Sequence, residues 1–306
     1  MKLTKKITVI TLSCALILAA VLGFVSYTVV KRFTSRRSRD VAWYIKTNLY
    51  KHALCQKYSG ESVNFKSKDG LSLAGLLFVR EDAHYNLLVC HGYSRHKEDV
   101  RRIVELFPHQ NIMFFDYRAH GESEGVSTTI GAHEIADVLA AHDVLTSHEK
   151  IKHLPIVGIG FSMGGATLLG AAVQGAEFKA LVLDSVYKRL DEQIAKMFTH
   201  KTGLPAVPFM QICGSMYSYF FDWRMSDVNP HEWIQKVQMP IFIIHAKNDT
   251  LADSKIANEL FEAKSGQKKL WIVDEAPHAT IFKHYPLEYT AQVNAFLSSL
   301  SEQTTI

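Results

Sequence analysis

Residues 155–170 are Pro155-Ile-Val-Gly-Ile-Gly-Phe-Ser-Met-Gly-Gly-Ala-Thr-Leu-Leu-Gly170, and this stretch decides the fold. A short apolar run typical of a buried strand ends at Gly160, and a helix-like segment begins directly after Ser162. Gly-x-Ser-x-Gly between a strand and a helix is the pattern of a nucleophile elbow, a strained turn that exposes the serine hydroxyl. Its glycines are needed because a Cβ would collide where helix and strand pack closely. The stretch therefore predicts that Ser162 is a nucleophile.

The same pattern occurs a second time, as Gly121-Glu-Ser-Glu-Gly125. This copy lies several residues after an apolar run and leads into Val126-Ser-Thr-Thr129, which does not resemble an apolar helix. Two glutamates beside Ser123 would also disfavour negative charge developing on a substrate oxygen. We therefore expect this copy to form a surface loop.

Apolar runs and helical patterns alternate along most of the chain. Residues 62–79 alternate in hydrophobicity around a hairpin turn at Lys68-Asp-Gly70, which predicts two antiparallel strands. Six further apolar runs follow, at 87–90, 112–115, 156–159, 180–183, 241–244 and 270–273. Helical patterns separate them, at 99–107, 130–148, 166–175, 254–263 and 286–300. This alternation predicts an α/β fold, with a mostly parallel eight-stranded sheet, helices on both faces and an antiparallel edge formed by the first two strands.

One interval breaks this rhythm. Between Asp184 and Pro240 no strand is obvious, and the segment is rich in methionine and aromatic residues. Because so long a connection in a compact domain is usually functional, we expect a small helical cap over about residues 186–235. The alternative is an ordinary crossover helix with a long loop.

The N-terminal 33 residues differ in composition from the rest. Residues 7–30 carry no charge, and as a helix they would extend about 36 Å, enough to cross a bilayer with some tilt. We expect an uncleaved single-pass membrane anchor over residues 1–33, a polar neck over 34–60 and the main domain over 61–306. A cleavable signal peptide is the alternative, with a passable cleavage site at Val21-Leu-Gly23. The flanking basic residues lean only slightly toward a cytoplasmic main domain, so the orientation stays open.

The bulk composition excludes several function classes. The net charge is only +4, and the positive excess lies near the N-terminus, so no nucleic-acid surface is expected. Cys55, Cys90 and Cys213 are widely spaced in the globular part, which favours separate thiols over a disulfide framework or a zinc motif.

A serine nucleophile needs a base within hydrogen-bond reach, and the base needs an orienting carboxylate. Asp249 and His278 each follow a predicted strand, so they belong at the same carboxyl edge of the sheet as Ser162. Their order along the chain, acid and then histidine after the serine, is the one found in folds that carry this kind of turn. Asp184 and Asp253 are rivals for the role of the acid.

The tetrahedral intermediate also needs two hydrogen-bond donors. The backbone N–H of Met163 is one candidate, because it begins the helix after the turn. The second should come from the loop after the strand 87–90, where Gly92 would let the backbone of Tyr93 approach closely. The alternative for this loop is a simple turn.

Five blocks of the sequence together resemble the α/β-hydrolase superfamily over roughly residues 60–300. These blocks are Leu88-Val-Cys-His-Gly-Tyr93, Phe115-Asp-Tyr-Arg-Ala-His-Gly-Glu-Ser123, Gly160-Phe-Ser-Met-Gly-Gly165, His245-Ala-Lys-Asn-Asp249 and Ala276-Pro-His278. The chain is most similar to bacterial, N-terminally membrane-anchored serine hydrolases of the monoacylglycerol-lipase-like and serine-aminopeptidase-like group. This resemblance implies Ser162 as nucleophile, Asp249 as acid, His278 as base, an oxyanion hole of Tyr93 and Met163, and no metal or organic cofactor.

One position departs from that family pattern. Ala119 stands where related loops often carry glycine, and the resemblance makes Arg118 and His120 of the same loop structural rather than catalytic. The triad is not affected by this departure.

The expected activity is hydrolysis of a carboxylic, lipid-derived ester through an acyl-enzyme intermediate, in a bacterial inner membrane. The expected partners are a small acyl-ester or lipid substrate and the membrane itself. An N-terminal-residue peptidase, a thioesterase and a non-catalytic scaffold remain alternatives. Dinucleotide binding is disfavoured, because Met163 occupies the third glycine position of a Gly-x-Gly-x-x-Gly pattern.

Overall fold

A computed structural model describes residues 2–36 and 51–301 of the chain. Within them, eight strands form a single sheet in the order β1-β2-β4-β3-β5-β6-β7-β8. The strands are β1 (Gly60–Lys66), β2 (Ser72–Phe78), β3 (Asn86–Cys90), β4 (Asn111–Phe115), β5 (Ile156–Phe161), β6 (Ala180–Asp184), β7 (Ile241–Ala246) and β8 (Lys268–Val273). β2 pairs antiparallel with β1 and β4, and all other pairs are parallel. The predicted parallel sheet with an antiparallel edge is confirmed.

Helices connect these strands and flank both faces of the sheet. They are α1 (Lys2–Thr34), α2 (Arg102–Leu106), α3 (Glu134–Ser147), α4 (Met163–Val173), α5 (Leu190–Thr202), α6 (Phe209–Phe221), α7 (Pro230–Lys236), α8 (Lys255–Ala263), α9 (Ile281–His284) and α10 (Pro286–Ser301). Single 3₁₀ turns lie at Lys97–Val100 and Met225–Asp227. Residues 51–58 are also helical, and the part of the expected neck at 37–50 lies outside the described residues.

The central strands are buried and mostly apolar because both faces of the sheet are covered. In β6, Leu181 and Leu183 join the cluster that includes α3 and α4, whereas Val182 joins the cluster that includes α10. Successive side chains of a strand point to opposite faces, so burial on both faces requires an uninterrupted apolar run. This arrangement brings the carboxyl ends of β3, β5, β6, β7 and β8 to one edge.

The long interval after β6 is helical. It contains α5, α6, the 3₁₀ turn and α7, and no strand is present in it. Ile194 and Phe198 of α5 are buried, so the inner face of this helix packs on the domain.

The N-terminal helix α1 has an exposed apolar part and a docked end. From Lys6 onward it is long and apolar enough to cross a membrane, with a mean hydropathy of 2.5 over a window in which no residue is buried. The C-terminal end of α1, in contrast, has a buried face. Ser26, Val30 and Thr34, four residues apart, are buried against the rest of the protein. The Sγ of Cys213 in α6 lies 3.6 Å from the carbonyl oxygen of Ser26. α1 is therefore packed against α6 as well as projecting from the domain.

Candidate active site

Ser162 lies at the turn between β5 and α4, as the sequence predicts. Its backbone has φ 52° and ψ −113°, a conformation that non-glycine residues rarely adopt. Its N–H donates to the carbonyl oxygen of Asp184, 2.8 Å away, which ties the turn to the end of β6. The strain is sustained by the packing around it.

Two glycines make this turn possible. A Cβ on Gly160 would lie 2.5 Å from the Cα of Gly165, and one on Gly164 would lie 2.1 Å from the carbonyl oxygen of Cys90. Neither distance is compatible with a side chain, and the obstructing atoms are backbone. The glycines therefore allow α4 to begin directly against β3 and β5.

Asp249 and His278 come together at the same edge of the sheet. The Nδ1 atom of His278 lies 2.6 Å from Oδ2 of Asp249. Since a carboxylate can only accept, Nδ1 carries the proton and donates, which leaves the lone pair on Nε2. Asp249 follows β7 and His278 follows β8, as the sequence predicts.

The environment of Asp249 keeps this carboxylate ionised. Burial alone would raise the pKa of Asp249, but its hydrogen bond with His278 and the backbone N–H groups of Ala252 and Leu251 outweigh burial and lower the pKa. The two N–H groups donate to Oδ1 over 2.9 and 3.0 Å. The imidazole therefore faces a permanent negative charge.

Two residues that sequence reasoning missed support this pair. His245 is fully buried, with its Nε2 donating to the carbonyl oxygen of Ala252 over 3.0 Å, and burial lowers its pKa. Ser185 accepts a hydrogen bond from the N–H of Ala279 over 3.1 Å and donates to Oδ1 of Asp184 over 2.8 Å. His245 thus fixes the loop of Asp249, and Ser185 fixes the loop of His278. In the sequence, the position of His245 near the end of a predicted strand was the one sign of a role at the site, and no feature marked Ser185.

The sequence-predicted rivals for the acid have other hydrogen-bond partners. Asp184 is completely buried, its Oδ1 is occupied by Ser185, and the structure gives no hydrogen bond between Asp184 and His278. Burial, as the main cause, raises the pKa of Asp184 to about 7. Asp253 accepts from the N–H of Lys255 over 2.9 Å at the start of α8. Of the three carboxylates, Asp249 is the one hydrogen-bonded to His278.

The loop after β3 approaches Ser162 through its backbone. A Cβ on Gly92 would lie 3.5 Å from the Cβ of Ser162, so the loop and the turn are in close contact. Met163 begins α4, and the first N–H groups of a helix have no partner inside the helix. Tyr93, Met163, Ser162 and His278 all line one cavity.

Two buried histidines hold this loop in place. The Nε2 of His91 accepts from the N–H of Tyr117 over 3.2 Å, and Nδ1 donates to the carbonyl oxygen of Gly92 over 2.8 Å. Burial lowers the pKa of His91 to about 3, so the ring is neutral. His120 accepts from the N–H of Ser94 over 3.3 Å. The expectation that His120 fixes a loop agrees with this geometry.

Buried ion pairs anchor the segment that carries these residues. Lys97 is completely buried, and its Nζ lies 2.6 Å from both Oδ2 of Asp116 and Oε2 of Glu122. Arg118 bonds to Asp137, with Nη2 and Oδ1 2.7 Å apart. Arg118 is therefore structural, as expected from the resemblance.

The second Gly-x-Ser-x-Gly copy is a loop at the surface, as expected, with Glu122 and Glu124 exposed. Its serine, however, points inward, and Ser123 is 1% exposed. Its hydroxyl donates to the carbonyl oxygen of Asp116 over 2.5 Å and accepts from the N–H of Ala74 over 2.9 Å. Both hydrogen-bonding roles of the hydroxyl are used to join this loop to β2, a long-range contact that the local sequence does not reveal.

The cavity itself has a volume of about 140 Å³ and a largely apolar lining. Apolar side chains from α5 form one part of it, namely Leu190, Ile194 and Met197. Among the residues that the structure describes, no group of three or more His, Cys, Asp or Glu side chains could hold a metal ion. The arrangement places a serine hydroxyl and a histidine paired with a carboxylate beside one largely apolar cavity.

Comparisons with known proteins identify the family of this chain. A model of the alpha/beta hydrolase family matches residues 87–293. YqkD of Bacillus subtilis, an uncharacterized protein, is 28% identical over 242 residues, which cover 77% of this chain and 78% of YqkD. The lysophosphatidylserine lipase ABHD12 of Danio rerio is 25% identical over 207 residues, which cover 62% of this chain and 50% of that protein.

A solved structure gives the same result. The esterase Pf2001 of Pyrococcus furiosus matches with a TM-score of 0.66 and 25% identity, covering 80% of this chain and 95% of the esterase. The family match extends from β3 to α10 and includes positions 162, 249 and 278. The chain belongs to the alpha/beta hydrolase family.

Proposed function

We propose that this protein is a serine esterase that cleaves a lipid-derived carboxylic ester through an acyl-enzyme intermediate. The observation that carries the proposal is the 2.6 Å contact between His278 and Asp249 at a cavity that Ser162 also lines. A serine in a strained turn, a histidine and a carboxylate in this chain order are the parts that acyl transfer needs.

In the proposed reaction, Oγ of Ser162 attacks the ester carbonyl while Nε2 of His278 takes the hydroxyl proton. The C–O bond to the alcohol then breaks, and His278 returns the proton to the leaving oxygen. Water attacks the acyl-serine with the same histidine as base, and this step releases the carboxylic acid and restores Ser162. Asp249 stays ionised throughout and stabilises the imidazolium.

Negative charge on the carbonyl oxygen would be stabilised by the backbone N–H groups of Met163 and Tyr93. Such donors, fixed before the reaction begins, cost no reorganisation in the transition state. The support for this role is the close approach of Gly92 to Ser162 and the place of Met163 at the start of α4.

A lipid-derived substrate is supported by the surroundings of the site. The segment of about 186–235, which we propose acts as a cap, contributes the apolar side chains of α5 to the cavity. The apolar residues of α1 are exposed, with Leu16 at 68% and Ile17 at 64%. An uncovered apolar surface of this length is suited to a bilayer. Two relatives are described as a lysophosphatidylserine lipase and an esterase.

We further propose that α1 is an uncleaved anchor in a bacterial inner membrane. Its last turns are packed against α6, which would hold the catalytic domain at the bilayer surface. Mass spectrometry of the protein from membrane fractions tests this. An intact N-terminus is expected, and a new N-terminus near Gly23 in the mature protein would refute the anchor.

Labelling with a fluorophosphonate probe tests the catalytic proposal. Wild-type protein should react, and Ser162→Ala should not react. Ser123→Ala is the matched control, because it removes the serine of the other Gly-x-Ser-x-Gly copy and should still be labelled. Label on Ser162→Ala, or none on a folded wild type, would refute the proposal.

Turnover assays then separate the possible substrates. Monoacylglycerol, lysophospholipid, acyl-thioester and aminoacyl-amide substrates should be compared with a short p-nitrophenyl ester. We expect the lipid esters to have the highest kcat/KM. If only the short soluble ester or the amide is cleaved, the lipid assignment fails while the nucleophile assignment stands.

A further inference from the structure

The lining of the catalytic cavity is mostly apolar but includes three charged side chains. The apolar lining comes from several segments, among them Leu190, Ile194 and Met197 of α5. The charged side chains come from two loops, with Arg95 and Asp99 after β3 and Lys283 in α9 after β8. These are the same two loops that carry Tyr93 and His278. A substrate bound at Ser162 would therefore meet charged side chains on one part of its surface.

The charged side chains of the lining are predominantly cationic. Asp99 is the one carboxylate among the lining residues of the described chain, and its Oδ2 accepts from the N–H of His96 over 3.0 Å. Arg95 and Lys283 both line the cavity, and Nη1 of Arg102 lies 3.1 Å from the carbonyl oxygen of Lys283, which adds another positive charge nearby. We call Arg95 and Lys283 the cationic rim.

The positive charges in and around the rim repel one another. Burial lowers the pKa of Lys283, and although Asp99 opposes this effect, the positive charges of Arg95, Arg101 and Arg102 lower the pKa further. The Nζ of Lys283 lies 5.2 Å above the ring of Phe282. An anion bound at the rim would relieve this repulsion.

We propose that the cationic rim binds the phosphate of a lysophospholipid substrate while Ser162 attacks its acyl ester. This inference rests on the proposed esterase function and names its substrate class. In a lysophospholipid the acyl ester and the phosphate are separated only by the glycerol backbone, so both can occupy one site. The acyl chain lies against α5, and the phosphate lies between Arg95 and Lys283.

The chemistry of the rim matches a phosphate better than the competing groups. The guanidinium of Arg95 can present two parallel N–H donors to two phosphate oxygens, and the ammonium of Lys283 supplies a point charge. A neutral monoacylglycerol offers neither cation an anionic partner. The free amine of a peptide N-terminus would be repelled by them.

Charge-removing variants of the full-length protein test the site. Arg95→Gln and Lys283→Gln should be compared with wild type on octanoyl lysophosphatidylglycerol and on octanoyl glycerol. Both substrates are used as dissolved monomers, so that no charged lipid surface is present. Lys196→Gln is the matched control, because Lys196 is exposed on α5 and does not line the cavity.

Each rim variant should lower kcat/KM for the lysophosphatidylglycerol about 10-fold, as expected for loss of one charge-assisted hydrogen bond. Octanoyl glycerol turnover should change less than about twofold, and Lys196→Gln should change neither substrate. The loss should appear mainly in KM, and raising the salt concentration should reduce the preference of the wild type for the anionic substrate.

The outcomes are distinct. Equal losses on both substrates, or no loss on either, would overturn the phosphate site while octanoyl glycerol turnover still supports the esterase. A wild type that prefers octanoyl glycerol over the anionic substrate would also overturn it. Absence of fluorophosphonate labelling would instead refute the esterase and, with it, this site.

Discussion

The contact between Tyr93 and the end of α1 allows a quantitative test of how the N-terminal helix affects catalysis. The hydroxyl of Tyr93 donates to the carbonyl oxygen of Phe33 over 2.7 Å. The two rings also stack, with centroids 6.5 Å apart and an angle of 25° between their planes. Since the backbone N–H of Tyr93 is our proposed oxyanion donor, α1 would hold this donor in place through the side chain.

The replacement Tyr93→Phe removes the hydrogen bond but keeps both the ring stacking and the backbone N–H. A hydrogen bond of this kind contributes about 1 kcal/mol. If all of it serves to position the donor, kcat falls about fivefold, since about 1.4 kcal/mol corresponds to a factor of ten. Complete loss of an oxyanion donor costs about 3–4 kcal/mol, which is a far larger effect. We therefore expect a decrease of about two- to fivefold in kcat.

Hydrolysis of a soluble p-nitrophenyl ester, with kcat and KM measured separately, checks this value. Tyr219→Phe is the control, because it makes the same chemical change on α6 at a side chain that is 85% exposed. An unchanged kcat accompanied by a lower melting temperature would show that the contact only stabilises the fold. A decrease above about 100-fold would show that the hydroxyl itself takes part in the chemistry, and either result would refute the reasoning.

Three further perturbations test other parts of the site. Asp249→Asn should lower kcat on the order of 10³–10⁴-fold in the same ester assay with little change in KM, because His278 loses the charge that holds its tautomer; a loss below tenfold would contradict this. Asp184→Asn tests the raised pKa of Asp184, which is about 7 in the folded protein and about 3.9 in the unfolded chain. Because the folded state holds the proton more tightly, the wild type should lose stability as the pH rises from about 4 to 7. Melting temperatures of wild type and variant should therefore diverge in favour of the variant toward pH 7, and no divergence would contradict the prediction. Lys97→Met should destabilise the protein by about 3–5 kcal/mol in denaturant titrations, because it leaves Asp116 buried without its cation, and a change below about 1 kcal/mol would contradict this.

Much of the fold could be predicted because its determinants are local. The six strands from β3 to β8 each contain an apolar run that the sequence shows, and the first two strands show alternation around a hairpin turn. The positions of Ser162, Asp249 and His278 at one edge follow from the same logic, because parallel strands bring their carboxyl ends together. No distance had to be known to place them there.

The parts that could not be predicted depend on contacts between distant segments. Helix propensity and hydropathy describe α1 as a span, but they do not show that Ser26 packs against α6 or that Phe33 bonds to Tyr93. The support that Ser185 gives to the loop of His278 is equally invisible, because a serine after a strand has many possible partners. Such contacts are set by tertiary packing, which has no periodic signature.

The two Gly-x-Ser-x-Gly copies show why the surroundings of a motif matter more than the motif. Ser123 is buried, and its hydroxyl donates to the carbonyl oxygen of Asp116 and accepts from the N–H of Ala74, so its proton is held by a backbone carbonyl rather than by a base. Ser162 lies in a strained backbone turn at the cavity that His278 also lines. The local pattern determines the backbone conformation, because glycines permit it. Which groups surround the serine is determined by the neighbouring strands and loops: a backbone carbonyl for Ser123, and the cavity lined by His278 for Ser162.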